Sequence, residues 1–237
     1  MTSFSFSYTR HRLDSTIRVL CLLIEKEIMG RSTRCLSEYD LRRELIGCIL
    51  GSQVRYEMAV ATTENLEFAG LLDDAHWCGC ADDGFEGHVF RVLVGLGNAS
   101  RHGGSYRFPK IRANQLAHAR NVLARFPLSS RLADEDAPAR LRRTLIEDIP
   151  GLGPKQASMF LRNIGRSYDL AILDTHVLRF IEMQGLLPLN KARIGTVKGY
   201  EDAEQIVVEY ADTLGYPVGY LDWAIWATMK AARELSL

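Results

Sequence analysis

The stretch that most restricts how this chain can fold is Ile149-Pro150-Gly151-Leu152-Gly153-Pro154-Lys155. Two glycines separated by one apolar residue let a backbone reverse tightly, because glycine accepts positive φ and leaves room for another backbone to approach. Proline suits the first position of a helix, where its missing N–H removes no hydrogen bond and the next amides are free to point at an anion such as phosphate. Apolar residues on both sides of the turn, and Ala157 where two helices would cross closely, complete a helix-hairpin-helix pattern. An ordinary helical hairpin packed by Leu152 is the plainer alternative, but it does not require the Gly-x-Gly-Pro-Lys detail.

That pattern puts Lys155 in the first turn of a helix, where the positive end of the helix dipole disfavours an ammonium ion and favours a neutral, nucleophilic amine. Nineteen residues later, Ala171-Ile172-Leu173-Asp174-Thr175-His176-Val177 runs from an apolar stretch into a further helix and places Asp174 at its N-cap. An N-cap carboxylate is held rigidly. Beside an activated lysine, at a turn that suits DNA backbone, it has the pieces needed to break an N-glycosidic bond: an amine to attack the sugar and an anion to stabilise the cationic sugar as the base departs.

Elsewhere the apolar residues recur with helical period, and no alternating run or hairpin punctuation marks a strand, so the fold is predicted to be all-α. Helices are expected over 13–28, 39–50, 57–68, 111–126, 141–148, 154–164, 175–184, 200–214 and 217–233. An acidic stretch, 70–88, and a polar one, 129–138, read as loop and connector. The apolar run Val19–Ile24 is far too short to span a bilayer, and five cysteines without framework spacing suggest reduced thiols; the chain is expected to be cytoplasmic, with no membrane role. The formal net charge of zero argues against a protein that coats nucleic acid. The distribution is uneven, however: residues 57–86 hold eight acids and no Lys or Arg, a charge of −8, whereas 101–143 hold ten bases and three acids, a charge of +7. Such a swing points either to one phosphate-facing surface or to two solvated helix faces.

The run from Leu145 to Phe160, then Asn163-Ile164-Gly165 and Leu170-Ala171-Ile172-Leu173-Asp174, resembles the helix-hairpin-helix superfamily of base-excision glycosylases that includes endonuclease III. Within it the chain is most similar to the archaeal-type, second class of 8-oxoguanine DNA glycosylase/lyases. The likeness extends to Glu44–Gln53, Tyr106-Arg107-Phe108-Pro109 with Arg112-Ala113, and Leu221-Asp222-Trp223-Ala224-Ile225-Trp226. It implies two helical lobes with the active-site cleft between them, Lys155 forming a Schiff base with the sugar followed by β-elimination, and Asp174 as the essential aspartate. Gly151 and Gly153 would contact the DNA backbone, directly or through a monovalent cation on hairpin carbonyls, with Arg107 and Lys110 as further backbone contacts. Because the base must leave the stack, Gln53 is assigned to filling the gap or reading the opposite base. Trp226 is assigned either to the base pocket or to packing. The substrate implied is oxidised guanine in double-stranded DNA, the protein acting as a monomer.

The four-cysteine iron–sulfur signature of endonuclease III relatives is absent, so no such cluster and no other required cofactor is expected. The chain also continues beyond Trp226 to Leu237, leaving the family's terminal base-contacting residue unmatched and another modified purine open as substrate. A binding-only module that grips phosphate is the remaining alternative, although it would not need the Lys155–Asp174 pair. His76, Cys78, Cys80 and His88 form a set of soft ligands that could hold zinc, but the Cys-x-Cys spacing is not the usual one, and loop and packing roles are the alternative. The division expected is an N-terminal extension, 1–39, packing on a first lobe, 40–127, completed by 200–237, with a helix-hairpin-helix lobe, 128–199, carrying both Lys155 and Asp174.

Overall fold

The computed structural model describes residues 2–30, 35–77, 84–99, 106–134, 137–186 and 194–235, and all regular structure among them is helical, with no strand. In chain order the described helices are α1 (Thr2–Gly30), α2 (Glu38–Leu50), α3 (Tyr56–Phe68), α4 (Asp74–Trp77), α5 (Phe85–Ala99), α6 (Pro109–Arg125), α7 (Leu128–Asp134), α8 (Pro138–Asp148), α9 (Pro154–Asn163), α10 (Thr175–Met183), α11 (Val197–Leu214) and α12 (Val218–Leu235). Among the described residues no helix is long and apolar enough to cross a membrane.

Cys35–Ile164 form one compact unit. Its central helix, α2, starts at a capping box: the Asp40 N–H donates to Ser37 Oγ at 3.1 Å, and the Ser37 N–H donates to the Asp40 carboxylate at 3.0 Å. The face read from the sequence, Leu41, Leu45, Ile46, Ile49 and Leu50, is buried, and α9, which packs on α2, buries Ala157, Phe160 and Leu161. Each such aliphatic side chain contributes about 1.5–3 kcal/mol by leaving water. The acidic stretch is less loop than expected. Leu71, Leu72 and Trp77 are core residues, a one-turn helix spans Asp74–Trp77, and α5 begins at Phe85 and buries Val89 and Leu93. The polar connector likewise contains α7, whose first amides are capped from a distance by Glu38, which accepts from the Leu128 N–H at 2.8 Å and the Ser129 N–H at 3.0 Å.

Part of the basic excess of 101–143 is turned inward. Arg112, Arg120, Arg131 and Arg142 are all buried. Arg112 donates to the Ser52 carbonyl and to Gln115, Arg120 lies over the Phe85 ring, Arg131 donates to the Phe126 carbonyl and pairs with Asp148, and Arg142 donates to Ser158 Oγ. Arg112 and Arg131 thereby meet carbonyls just past α2 and α6, and the buried stems pack as apolar surface.

The second unit unites Met1–Arg34 with Gly165–Leu237. Its core is built from Ile17 and Cys21 of α1, Val177, Phe180 and Ile181 of α10, Tyr200, Val207 and Ala211 of α11, and Leu221, Ala224 and Ile225 of α12. This division differs from the one the sequence suggests. The first helix packs with the C-terminal helices rather than on residues 40–127, because its Ile17–Cys21 stripe is complemented by the apolar side of α12. The helix-hairpin-helix belongs with 35–127, because α9 covers the apolar face of α2.

Candidate active site

The hairpin between α8 and α9 closes with the Leu152 N–H donating to the Ile149 carbonyl at 3.3 Å. Its two glycines are not equivalent. Gly151 has φ +96°, and a Cβ there would lie 2.9 Å from Gln115 Oε1 and 3.0 Å from Ile49 Cγ2; Gly153 has an ordinary φ of −96° and serves as N-cap of α9. Pro154 occupies the first helical turn, and the first helical bond is from the Ala157 N–H to the Gly153 carbonyl. Glycine offers no capping side chain. Among the described residues the Lys155 and Gln156 amides therefore have no acceptor, which leaves two donors and the positive end of the helix for an external anion.

Lys155 is half-buried in this first turn. Its charge is felt at Cys48, a fully buried thiol on α2 pushed well up by burial and by Glu44, while Arg162 and Lys155 pull the other way. At the far end of α9 the Asn163 side-chain amide donates to Glu44 Oε1 at 2.7 Å, so α2 fixes the lysine-bearing helix along its length.

In the same unit two turns carry the only non-glycine residues with positive φ among the described residues, Gln53 and Phe108, both at +62° and both exposed. They are pinned from beneath. The Tyr106 hydroxyl donates to the Leu50 carbonyl at 2.8 Å, and burial pushes its phenol up to about 12; Arg112 holds the Ser52 carbonyl at 3.1 Å and Gln115 Oε1, the atom beside Gly151, at 2.6 Å. Strained backbone held by a buried network, with the side chains facing solvent, is the arrangement of a contact surface. Arg107, exposed, lays its guanidinium over the Phe108 ring at 4.7 Å, and Lys110 is exposed on the first turn of α6. Phe108 was not singled out in the sequence, because only its backbone conformation distinguishes it.

Asp174 stands on the other unit, at the N-cap of α10 as its sequence context predicts. Oδ1 accepts from both the His176 and Val177 amides at 2.8 Å; among the described residues Oδ2 accepts from nothing, which leaves one carboxylate oxygen available for chemistry. The residues before it, Leu170–Leu173, are buried and belong to no helix or strand. Their polar groups are met by side chains. The Ala171 N–H donates to Glu204 at 2.8 Å, the Ile172 N–H to Asp222 at 2.6 Å and the Leu173 N–H to the Tyr200 oxygen at 2.9 Å, while the Tyr200 hydroxyl donates to the Ala171 carbonyl at 2.9 Å. The signal for these three was an acid or hydroxyl on an otherwise apolar helical stripe, Tyr200-Ala203-Glu204-Val207 and Leu221-Asp222-Ile225.

Trp226, half-buried on α12, carries Lys230 over its ring at 5.0 Å. Of the proposed zinc ligands, Cys78 and Cys80 lie outside the described residues, His76 packs against the Phe85 ring at 6.2 Å, and His88 is exposed on α5.

The fold these elements build is shared with solved structures. The 8-oxoguanine DNA glycosylase of Thermotoga maritima matches with a TM-score of 0.69 at 24% identity, over 93% of this chain and 95% of that one. The Methanocaldococcus jannaschii 8-oxoguanine glycosylase/lyase, in complex with a 15mer DNA containing 8-oxoguanine, matches with a TM-score of 0.71 at 22% identity, over 93% of this chain and 98% of that one. In sequence, residues 99–216 match the family described as 8-oxoguanine DNA glycosylase. An 8-oxoguanine DNA glycosylase/AP lyase of Metallosphaera sedula is 32% identical over 209 residues, 88% of this chain and 91% of that relative. This is a helix-hairpin-helix protein of the base-excision class. The chain belongs to the archaeal-type 8-oxoguanine DNA glycosylase/AP lyase family.

Proposed function

We propose that the protein is a base-excision DNA glycosylase with AP lyase activity, removing 8-oxoguanine from duplex DNA, with Lys155 as nucleophile and Asp174 as its carboxylate partner. The observation that carries the reading is family membership extending over 209 residues, supported by a lysine in the first turn of the hairpin helix and an aspartate held as an N-cap. The Lys155 amine attacks the sugar carbon as the base departs with the electrons of the N-glycosidic bond and takes up a proton. The open oxygen of Asp174 stabilises the cationic sugar; cleavage of the C1′–O4′ bond then leaves an imine to Lys155, the second amine proton passing to the ring oxygen, which stays on C4′ as a hydroxyl. Removal of the adjacent proton from that imine expels the 3′ phosphate by β-elimination.

Recognition divides the same way. The Lys155 and Gln156 amides, with Gly151 and Gly153 allowing close approach, take a backbone phosphate, and a monovalent cation on hairpin carbonyls would serve the same contact. Arg107 and Lys110 add charge, Gln53 and Phe108 meet the duplex where the base has left, and Trp226 offers its ring to the extruded base. The protein acts as a monomer inside the cell. A panel of duplexes, each bearing one modified base, tests the substrate: release of 8-oxoguanine is expected, and failure on it with release of another modified purine would refute the assignment.

A further inference from the structure

The backbone that presents Asp174 is held by side chains from α11 and α12. Residues Leu170–Leu173 are buried outside any helix, and a buried amide without an acceptor is costly. One helix-borne group meets each of three successive amides, Glu204 for Ala171, Asp222 for Ile172 and Tyr200 for Leu173, and the Asp174 N–H turns back to the Ile172 carbonyl at 2.9 Å. Two carboxylates, 7% and 1% exposed, are kept inside the unit to accept from these amides. Charge-assisted bonds of 2.6 and 2.8 Å are short and directional. Tyr200 bonds on both sides of the segment, to the Ala171 carbonyl and the Leu173 amide, and Leu173 is the residue immediately before Asp174.

Just before the segment, the Gly219 N–H donates to the Tyr168 carbonyl at 2.8 Å, and a Cβ on Gly219 would lie 2.8 Å from that oxygen, so α12 docks on residue 168 as closely as a backbone can. At the far end Asp174 is tied to the first turn of α10. The stretch 168–174 is thus fixed at both ends and at each amide between Ala171 and Leu173.

We propose that Glu204, Asp222 and Tyr200 are positioning residues for base excision, setting where the open oxygen of Asp174 stands; the proposal rests on the catalytic assignment of Asp174 made above. A misplacement of about 1 Å at a reacting group costs on the order of 100-fold in rate. Asp222→Ala and Tyr200→Phe in the full-length protein should slow single-turnover excision of 8-oxoguanine by about 10- to 100-fold. Affinity for the duplex and borohydride trapping on an abasic-site duplex, where no base remains to leave, should stay within about twofold of wild type if Asp174 acts mainly in base departure. Asp222→Asn, which keeps an acceptor oxygen at the same reach, should recover part of the lost rate. If Asp222→Ala does not fold, Tyr200→Phe, which removes one hydroxyl, carries the test. Wild-type excision by folded Tyr200→Phe and Asp222→Ala would overturn the proposal, and so would excision, affinity and trapping falling together. Asp174→Asn is the control. If it excises at the wild-type rate, the catalytic assignment fails and takes the proposal with it; if it is inactive while the three supporting variants excise normally, only the positioning role fails.

Discussion

Replacing each hairpin glycine by alanine separates two residues that the motif treats alike. At Gly151 the backbone sits at φ +96°, where an L-residue is strained by about 1–2 kcal/mol, and the new methyl would meet Gln115 Oε1 at 2.9 Å and Ile49 Cγ2 at 3.0 Å. Neither neighbour gives way cheaply: Gln115 Oε1 is held by Arg112 Nη1 at 2.6 Å, and Ile49 is fully buried. Overpacking of this kind costs about 1–3 kcal/mol. Reduced freedom of the unfolded chain returns about 0.4–1 kcal/mol, so the net loss for Gly151→Ala is roughly 1–4.5 kcal/mol. At Gly153 φ is −96° and the nearest atom, Gln156 Oε1 at 3.1 Å, ends a flexible side chain, so Gly153→Ala should lie within about 1 kcal/mol of wild type. Urea unfolding followed by circular dichroism measures both. Equal stability of the two variants, or a loss below about 0.5 kcal/mol for Gly151→Ala, would refute the reasoning.

Tyr106→Phe deletes a buried bond to the Leu50 carbonyl and should cost about 1–2 kcal/mol at neutral pH. Because burial raises the Tyr106 phenol to about 12 from its ordinary value near 10, the folded state keeps a proton that the unfolded chain loses. Wild-type stability should therefore fall by about 1.4 kcal/mol per pH unit as pH rises from roughly 10 towards about 12, and Tyr106→Phe should lack that component in alkaline melting curves. Asp174→Asn keeps an N-cap acceptor for the His176 and Val177 amides, so its melting should move by no more than about 1 kcal/mol, while excision falls by about 10²- to 10⁴-fold; loss of both, or of neither, would contradict the two roles assigned to this side chain.

The local turns and helix ends were more legible in the sequence than the architecture that carries them. The hairpin, the first-turn position of Lys155 and the N-cap at Asp174 are local features, each set by a few neighbouring residues, and each stands where the pattern puts it. The packing of α1 with α12 is a pairing of helices about two hundred residues apart, which periodicity within either helix cannot reveal. The helix α5 was hidden because its acidic approach, with Gly84 ahead of Phe85, has loop composition while Phe85, Val89 and Leu93 supply the buried stripe. The sequence left open whether the arginines of 101–143 make one basic surface or a solvated helix face, because composition counts charge without saying that Arg112, Arg120, Arg131 and Arg142 turn inward. Phe108 stands out only through its positive φ, and the same backbone conformation at Gln53, a residue the family likeness had already marked, is not advertised by its residue type either.

The account depends on the Lys155 amine becoming bonded to the sugar. Borohydride reduction of the protein on an abasic-site duplex should trap a covalent protein–DNA adduct with wild type and none with Lys155→Gln, at concentrations where both bind the duplex. An adduct of equal yield with Lys155→Gln, or no adduct with wild type, would contradict it.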